Sequence, residues 1–305
     1  MATVNEQSDL LLGEIAGRPI RLSPQALRIA REHAGRIALS LGSHDPESSL
    51  AGYWSLGDRL AQWQRIVDRI GLAAAQRARL LEVGCGMGLF TLAGAALGFE
   101  IVGAEASSDR YADSLRVARA LCADNGFPVA LVQAFGERLP LPSQSVDFVV
   151  SFQTLEHVAD VAQTLREVRR VLRPGGTLFA QAPNYTGFYE AHYGVLLPLG
   201  LGKALNRQLL RLYRRPRGFI DHLQWLSPAR LRTLLRELGF ASFTVGPIAP
   251  TRSRAALLPG QAYPLPFQHR RGAAAERLAN RLAGAYHRAT GSPDRYTQLE
   301  IWATA

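Results

Sequence analysis

Leu80-Leu81-Glu82-Val83-Gly84-Cys85-Gly86-Met87-Gly88-Leu89-Phe90 is the stretch whose reading decides the fold. It reads as a buried strand, a three-glycine turn and the first turn of a helix. Such a turn lets backbone come close to a ligand at the carboxyl end of a parallel strand. The spacing is G-x-G-x-G. A dinucleotide fingerprint needs G-x-G-x-x-G, and its last position here is Leu89. A P-loop would close on Gly-Lys-Ser/Thr, and nothing of that kind follows. Glu82, two residues before the first glycine, places an acid beside the turn.

Outward from this point the chain alternates strand and helix. Strands are predicted at Leu80–Val83, Glu100–Ala104, Val129–Gln133, Val146–Phe152 and Gly176–Ala182, with helices around Leu89–Leu97, Ser108–Ala123 and Val161–Leu172. Short apolar strands separated by helices of this length indicate βαβ units and a parallel sheet covered on both faces. Upstream, Ser23 caps a helix that opens on Pro24, 42–49 is a turn-rich break, and a helix carrying Leu60, Trp63, Ile66 and Ile70 leads to the first strand. After Pro183 the rhythm stops. Asn184 to Phe219 reads as an insertion with an amphipathic helix near Lys203–Tyr213, where Leu205, Leu209 and Leu212 share one side. Ser227-Pro228 opens a further helix that ends before Gly239, and Phe243–Val245 and Gln298–Trp302 read as late strands.

Four further features match the glycine turn in order. Glu105 ends the second strand, 21 residues after Gly84, where a carboxylate can accept both hydroxyls of a ribose. Phe135-Gly136-Glu137-Arg138-Leu139-Pro140 follows the third strand. Ser145-Val146-Asp147-Phe148-Val149-Val150-Ser151 supplies the fourth, followed by Leu155-Glu156-His157. Arg170-Val171-Leu172-Arg173-Pro174-Gly175-Gly176 closes a helix and turns into the fifth.

With these features the chain resembles the class I S-adenosylmethionine-dependent methyltransferases, similar in pattern to the ubiquinone-biosynthesis O-methyltransferases. The resemblance runs from Tyr53 to Asn184 and, more weakly, from Asp221 to Phe240. It implies an α/β fold with a doubly wound, mostly parallel seven-stranded sheet, Rossmann-like, whose last pair of strands is antiparallel. It also implies S-adenosylmethionine as cofactor, which carries no phosphate and so needs no lysine in the loop. Glu82, Gly84, Cys85, Gly86 and Gly88 would surround its methionine portion and Glu105 would hold its ribose. Ala106 would lie on the adenine face, and Phe135, Gly136 and Glu137 would frame the adenine edge. Ser151, Phe152 and Gln153 would stand near the sulfonium. One position departs from the pattern: many relatives place an Asp where Phe135 stands, and a phenyl ring cannot accept the adenine amino hydrogen bond.

The predicted organisation is an N-terminal helical extension over 1–52, a cofactor-binding core over 53–185, a helical basic cap over 186–226, and a final helix and strands over 227–305. Tyr53-Trp54 reads as packing rather than a lid. Methyl transfer to a hydroxyl benefits from a base, and His157, His192 and His222 are the candidates, with Glu190 placed to orient His192. The three have no recognisable metal-ligand spacing, so no metal is expected. His33, His44, His269 and His287 are expected at the surface. An oxygen acceptor is therefore favoured, with nitrogen and carbon acceptors as alternatives. Two other classes stay open: a cofactor-binding protein without catalysis, and an NAD-dependent oxidoreductase, which Leu89 disfavours.

Composition sets the surroundings. The chain has 305 residues, 47% of them hydrophobic, which excludes wholesale disorder. Its two cysteines, Cys85 and Cys122, exclude a disulfide framework. No secretory signal or membrane span is read, so a cytoplasmic protein is expected. The net charge of +10 is unevenly placed. Between Glu190 and Asp221 there is no acid, yet Lys203, Arg207, Arg211, Arg214, Arg215 and Arg217 fall there, and a second acid-free stretch runs from Glu237 to Glu276. A solvated basic face is one reading. The other is a surface for anionic lipid or a phosphate-bearing substrate, with nucleic acid disfavoured. The acceptor expected is a small molecule, a glycan or a lipid-linked intermediate.

Overall fold

The computed structural model describes residues 8–42, 46–108, 111–248, 273–291 and 295–305. In chain order the elements are β1 (Leu10–Ile15), β2 (Arg18–Leu22), α1 (Pro24–Ser40), α2 (Pro46–Tyr53), α3 (Leu56–Ile70) and α4 (Leu72–Arg77), then β3 (Arg79–Val83), α5 (Leu89–Ala96), β4 (Glu100–Glu105), α6 (Ser114–Asp124) and β5 (Ala130–Gln133). The second half holds β6 (Val146–Phe152), α7 (Val161–Val171), β7 (Leu172–Pro183), β8 (Tyr189–Glu190), β9 (Val195–Leu196), α8 (Lys203–Leu212), α9 (Gly218–His222), α10 (Pro228–Glu237), β10 (Ser242–Pro247), α11 (Ala273–Thr290) and β11 (Gln298–Thr304). Seven strands form one mixed sheet in the order β10-β11-β7-β6-β3-β4-β5. The pairs β3/β4, β4/β5 and β6/β7 are parallel, whereas β7/β11 and β11/β10 are antiparallel. This is the expected α/β sheet with its antiparallel finish.

Two compact units make up the chain: residues 8–37 with 46–135, and residues 38–42 with 136–248, 273–291 and 295–305. In the first, β3 is buried along all but its first residue, as a parallel strand covered on both faces must be. Helix α3 starts at Ser55, whose hydroxyl accepts the Asp58 N–H, and turns Leu60, Trp63, Ile66 and Val67 inward. In the second, Asp160 caps α7, which buries Val161, Leu165, Val168 and Val171 on one stripe. Phe179 of β7 stacks on Trp302 of β11 with ring centroids 4.1 Å apart.

The structure differs from the sequence reading in several places. A hairpin, β1–β2, precedes the helices of the N-terminal extension. Its two-residue turn, Ala16-Gly17, has positive φ at both positions, the geometry that joins tightly twisted strands. Helix α6 starts at Ser114, later than expected, and α2 begins at Pro46, inside the expected break. A second small hairpin, β8–β9, stands ahead of α8. His44 and His269 lie outside the described residues, as does most of the second acid-free stretch.

His33 is a correction. It is 1% exposed rather than at the surface, because α1 turns it inward beside Ala30 and Ala34, with its Nε2 3.4 Å from the Ser114 hydroxyl of α6. Burial, helped by Arg36 and opposed by Asp113, lowers its pKa from 6.5 to about 4. The folded state therefore favours the neutral ring. As pH falls from 6.5 towards 4, the unfolded chain takes up a proton that the folded chain refuses. Stability is expected to drop across that window by up to about 1.4 kcal/mol per pH unit. Denaturant melts of the wild type and His33→Gln check this, and identical pH dependence in the two would contradict it.

Candidate functional site

In the first unit, the glycine turn is built as its spacing requires. Gly84, Gly86 and Gly88 all have positive φ, at 77°, 53° and 83°, where a side chain would be strained. The N–H groups of Gly84 and Cys85 both donate to the Ala104 carbonyl, at 2.8 and 3.0 Å. That anchors the turn to the end of β4. A Cβ on Gly88 would lie 2.7 Å from Ala118 Cβ, so this glycine lets α5 approach α6. A Cβ on Gly86 would meet nothing within 4 Å. Open space therefore stands before the middle of the turn. Cys85 is buried, with its Sγ against Gly103, and burial pushes its thiol pKa well up, so it packs rather than reacts.

Two buried carboxylates flank the turn. Glu105 Oε2 accepts the Gly86 N–H at 2.8 Å, and Oε1 accepts that of Ser107 at 3.3 Å. Burial raises the Glu105 pKa against these donors. Glu82 accepts the Thr91 hydroxyl through Oε2, and burial pushes its pKa up to about 7, with Arg59 opposing and Glu105 adding to the rise. Arg59 was not singled out by sequence. It sits on α3, donates to Gln62 Oε1 at 2.9 Å, and puts a cation within the field of Glu82. Nothing in the sequence ties a helix residue 23 positions upstream to Glu82. This set of acids, one arginine and backbone amides suits a ligand with an amine and hydroxyls rather than a polyphosphate. Ala106 is half-buried, and its carbonyl accepts the Gln133 amide at 3.2 Å. Phe135 is 55% exposed. Tyr53 and Trp54 pack against a core cluster of Ile29, Ala30, Ala34, Leu50, Met87 and Val117.

In the second unit, β6 ends in Ser151 and Phe152, both buried, and Gln153 follows it with a φ of 53° that turns the chain. Gln153 Nε2 donates to Gln298 Oε1 at 3.0 Å. Gly136 is half-buried in the preceding loop. The Glu137 carboxylate is engaged within this unit: its Oε1 accepts the N–H groups of Ala159 and Asp160 at 2.6 and 3.0 Å, bracing the start of α7. Its backbone carbonyl accepts the Gln163 amide at 3.2 Å.

The three candidate histidines part company. His157, just after β6, and His192, just after β8, meet with their Nε2 atoms 3.2 Å apart and their rings nearly perpendicular. His192 Nδ1 lies 2.8 Å from Oε1 of Glu190, a wholly buried carboxylate whose Oε2 accepts the Tyr193 N–H at 2.8 Å. Phe219 walls the pair, with centroids 5.1 Å from His192 and 6.1 Å from His157. Burial, reinforced by Glu190, pushes the neighbouring Tyr193 pKa up to about 12, so its phenol stays protonated. Glu156, buried, has Oε1 3.8 Å from His157 Nε2, and Glu156, His157 and His192 offer ligand-type atoms all within 4.8 Å of one another. That grouping is close enough for a cation, which the linear spacing did not suggest. His222 ends α9 on the exposed surface, outside this group.

A family model described as a methyltransferase domain matches residues 54–244. Among curated proteins, the chain is 32% identical over 171 residues to a ubiquinone biosynthesis O-methyltransferase of Caulobacter vibrioides, covering 55% of this chain and 62% of that one. It is 32% identical over 161 residues to the protein of the same name from Ruegeria pomeroyi, covering 53% and 59%. The chain thus spans about three fifths of the length of these relatives. Among solved structures it is similar to an S-adenosylmethionine-dependent methyltransferase of Mesorhizobium loti, at TM-score 0.47 and 18% identity over 80% of this chain and 98% of that one.

Proposed function

The chain belongs to the methyltransferase-domain family, and from that premise we propose that it moves a methyl group from S-adenosylmethionine to an oxygen of a small molecule, glycan or lipid-linked acceptor. When bound, the cofactor supplies an electrophilic methyl group. In this reading Gly84, Cys85, Gly86 and Gly88 give the close backbone approach, Glu82 receives the amine and Glu105 the ribose hydroxyls. Ala106, Phe135, Gly136 and Glu137 flank the adenine, and Ser151, Phe152 and Gln153 border the reacting atoms. Gly86, with open space before it and Glu105 on its N–H, supports this assignment.

The observation that carries the oxygen acceptor is the His157–His192 contact backed by Glu190. An oxygen nucleophile must lose a proton, and an imidazole pair beside a buried carboxylate can take it. His222 has no part in the proposal. The test is transfer of labelled methyl from S-adenosylmethionine to panels of phenols, amines and active-methylene compounds. Methylation of phenols that falls at least about tenfold in His157→Gln and His192→Gln is expected, since a base contributes about 10²–10⁴-fold. Label entering only amines or carbon acids would overturn the oxygen reading. Loss of activity on chelation, restored by a divalent ion, would replace the base by a cation held at Glu156, His157 and His192.

An amphiphilic acceptor and peripheral contact with an anionic membrane surface complete the proposal for this cytoplasmic enzyme. Helix α8 buries Asn206 and Leu210, not the leucine stripe. Leu205 and Leu212 face outward, Leu212 at 79% exposure, beside exposed Arg211, Arg214 and Arg217. Cations interleaved with exposed apolar side chains suit a lipid headgroup layer. Among the described residues no helix is long and apolar enough to cross a membrane. Each basic residue contributes about 1 kcal/mol near an anionic surface. Replacing Arg211, Arg214 and Arg217 together with Ala should therefore cut binding to phosphatidylglycerol vesicles by roughly a hundredfold at low salt. Unchanged sedimentation with vesicles would remove the membrane surface from the account.

A further inference from the structure

We propose that Glu190 is a positioning residue that sets the tautomer of His192, and through it the direction of the proton shared with His157. The inference rests on reading the histidine pair as the base. A carboxylate accepts hydrogen bonds and cannot donate them. Glu190 Oε2 is occupied by the Tyr193 N–H, and Oε1 stands 2.8 Å from His192 Nδ1. The hydrogen of that contact therefore belongs to Nδ1, which leaves Nε2 of His192 with its lone pair. That lone pair points at His157 Nε2, 3.2 Å away. A contact between two nitrogens needs one proton, and with His192 Nε2 bare it is His157 Nε2 that carries it. Glu156 Oε1, at 3.8 Å from the same nitrogen, is beyond hydrogen-bond distance.

The arrangement has a direction. His157 donates, His192 accepts, and Glu190 terminates the chain. When an acceptor hydroxyl gives up its proton, its oxygen forms the new bond to the methyl carbon as the carbon–sulfur bond breaks and the sulfur keeps the pair. The released proton enters at His157 Nδ1, unprotonated in this tautomer, while the His157 Nε2 proton passes to Nε2 of His192, so the two facing nitrogens still share one. The imidazolium at His192 lies against the Glu190 carboxylate, whose charge stabilises it. Glutamine at 190 reverses the logic. Its amide N–H₂ can donate to Nδ1, which fixes the hydrogen of His192 on Nε2 instead.

Two-bond proton–nitrogen correlation spectra read the tautomers directly, with His157 and His192 assigned by the loss of their signals in His157→Gln and His192→Gln. In the wild type near neutral pH, His192 is expected protonated on Nδ1 and bare on Nε2, and His157 protonated on Nε2. Glu190→Gln is expected to move the His192 proton to Nε2, and Glu190→Asp to restore part of the wild-type pattern. A wild-type His192 protonated on Nε2, or an unchanged tautomer in a folded Glu190→Gln, overturns the proposal. Should Glu190→Gln fail to fold, the wild-type tautomer alone decides. Failure of the parent reading shows elsewhere: phenol methylation unaffected by His157→Gln would remove the base, whatever the spectra report.

Discussion

Glu105→Ala is expected to weaken binding of S-adenosylhomocysteine by at least about a hundredfold while leaving the fold intact. The carboxylate ends β4 with one oxygen on the Gly86 N–H and the other near the Ser107 N–H, so it is fixed before any ligand arrives. Fixed acceptors lose little entropy on binding. Two ribose hydroxyls donating to a carboxylate are each worth roughly 1.5–3 kcal/mol, and about 2.8 kcal/mol is a hundredfold. Removal also loosens the glycine turn, whose middle amide loses its acceptor. Glu105→Gln keeps the shape and one acceptor, and a smaller loss of roughly tenfold is expected. Calorimetric titration of the two variants beside the wild type measures both. An unchanged Kd in Glu105→Ala would take the ribose away from this residue.

Trp63→Ala is expected to cost about 4 kcal/mol of stability, the scale for truncating a large aromatic in a close-packed core. Trp63 has no solvent exposure. Its ring is sandwiched between Phe90 at 4.6 Å and Phe99 at 4.4 Å, both within 5° of parallel. Its Nε1–H donates to the Phe90 carbonyl at 3.0 Å, so truncation also removes a buried hydrogen bond. Gly94 is the floor of this slot: a Cβ there would lie 2.2 Å from Trp63 Cζ2. Gly94→Ala should therefore destabilise by expelling the ring, and pairing it with Trp63→Ala should relieve that clash. Denaturant unfolding of the single and double variants checks the coupling. Fully additive costs would mean that the ring and the glycine do not oppose each other. The slot matters for the site because Phe90 belongs to α5, the helix that the glycine turn starts.

Much of this was legible from residues alone where local pattern and tertiary structure agree. The Leu80–Val83 run, the three glycines and the alternation after them locate β3, α5 and the strands that follow to within a few residues. Spacing could also place Glu105 at the end of β4, because strand length is short and regular. What escaped has a common cause. The β1–β2 turn is Ala16-Gly17 rather than the Asn-Gly or Asp-Gly that advertises such a hairpin, and Leu10-Leu11-Leu12 hides the alternation. His157 and His192 are 35 residues apart in the chain, and their meeting depends on the path through β8–β9, which no local rule encodes. The α8 stripe was visible, but its direction was not. A helical period shows that apolar residues share a side, and only packing shows that Asn206 and Leu210 are the buried side. His33 reads as an ordinary surface histidine until α6 is laid against α1.

The central claim is the cofactor, and calorimetric titration of the wild-type chain with S-adenosylhomocysteine, with NADH run in parallel, tests it most directly. Saturable binding of S-adenosylhomocysteine and no heat with NADH is the expected result. It would direct all further work to the acceptor. Binding of NADH with silence from S-adenosylhomocysteine would contradict the account, and would mean that the glycine turn and Glu105 serve a dinucleotide after all.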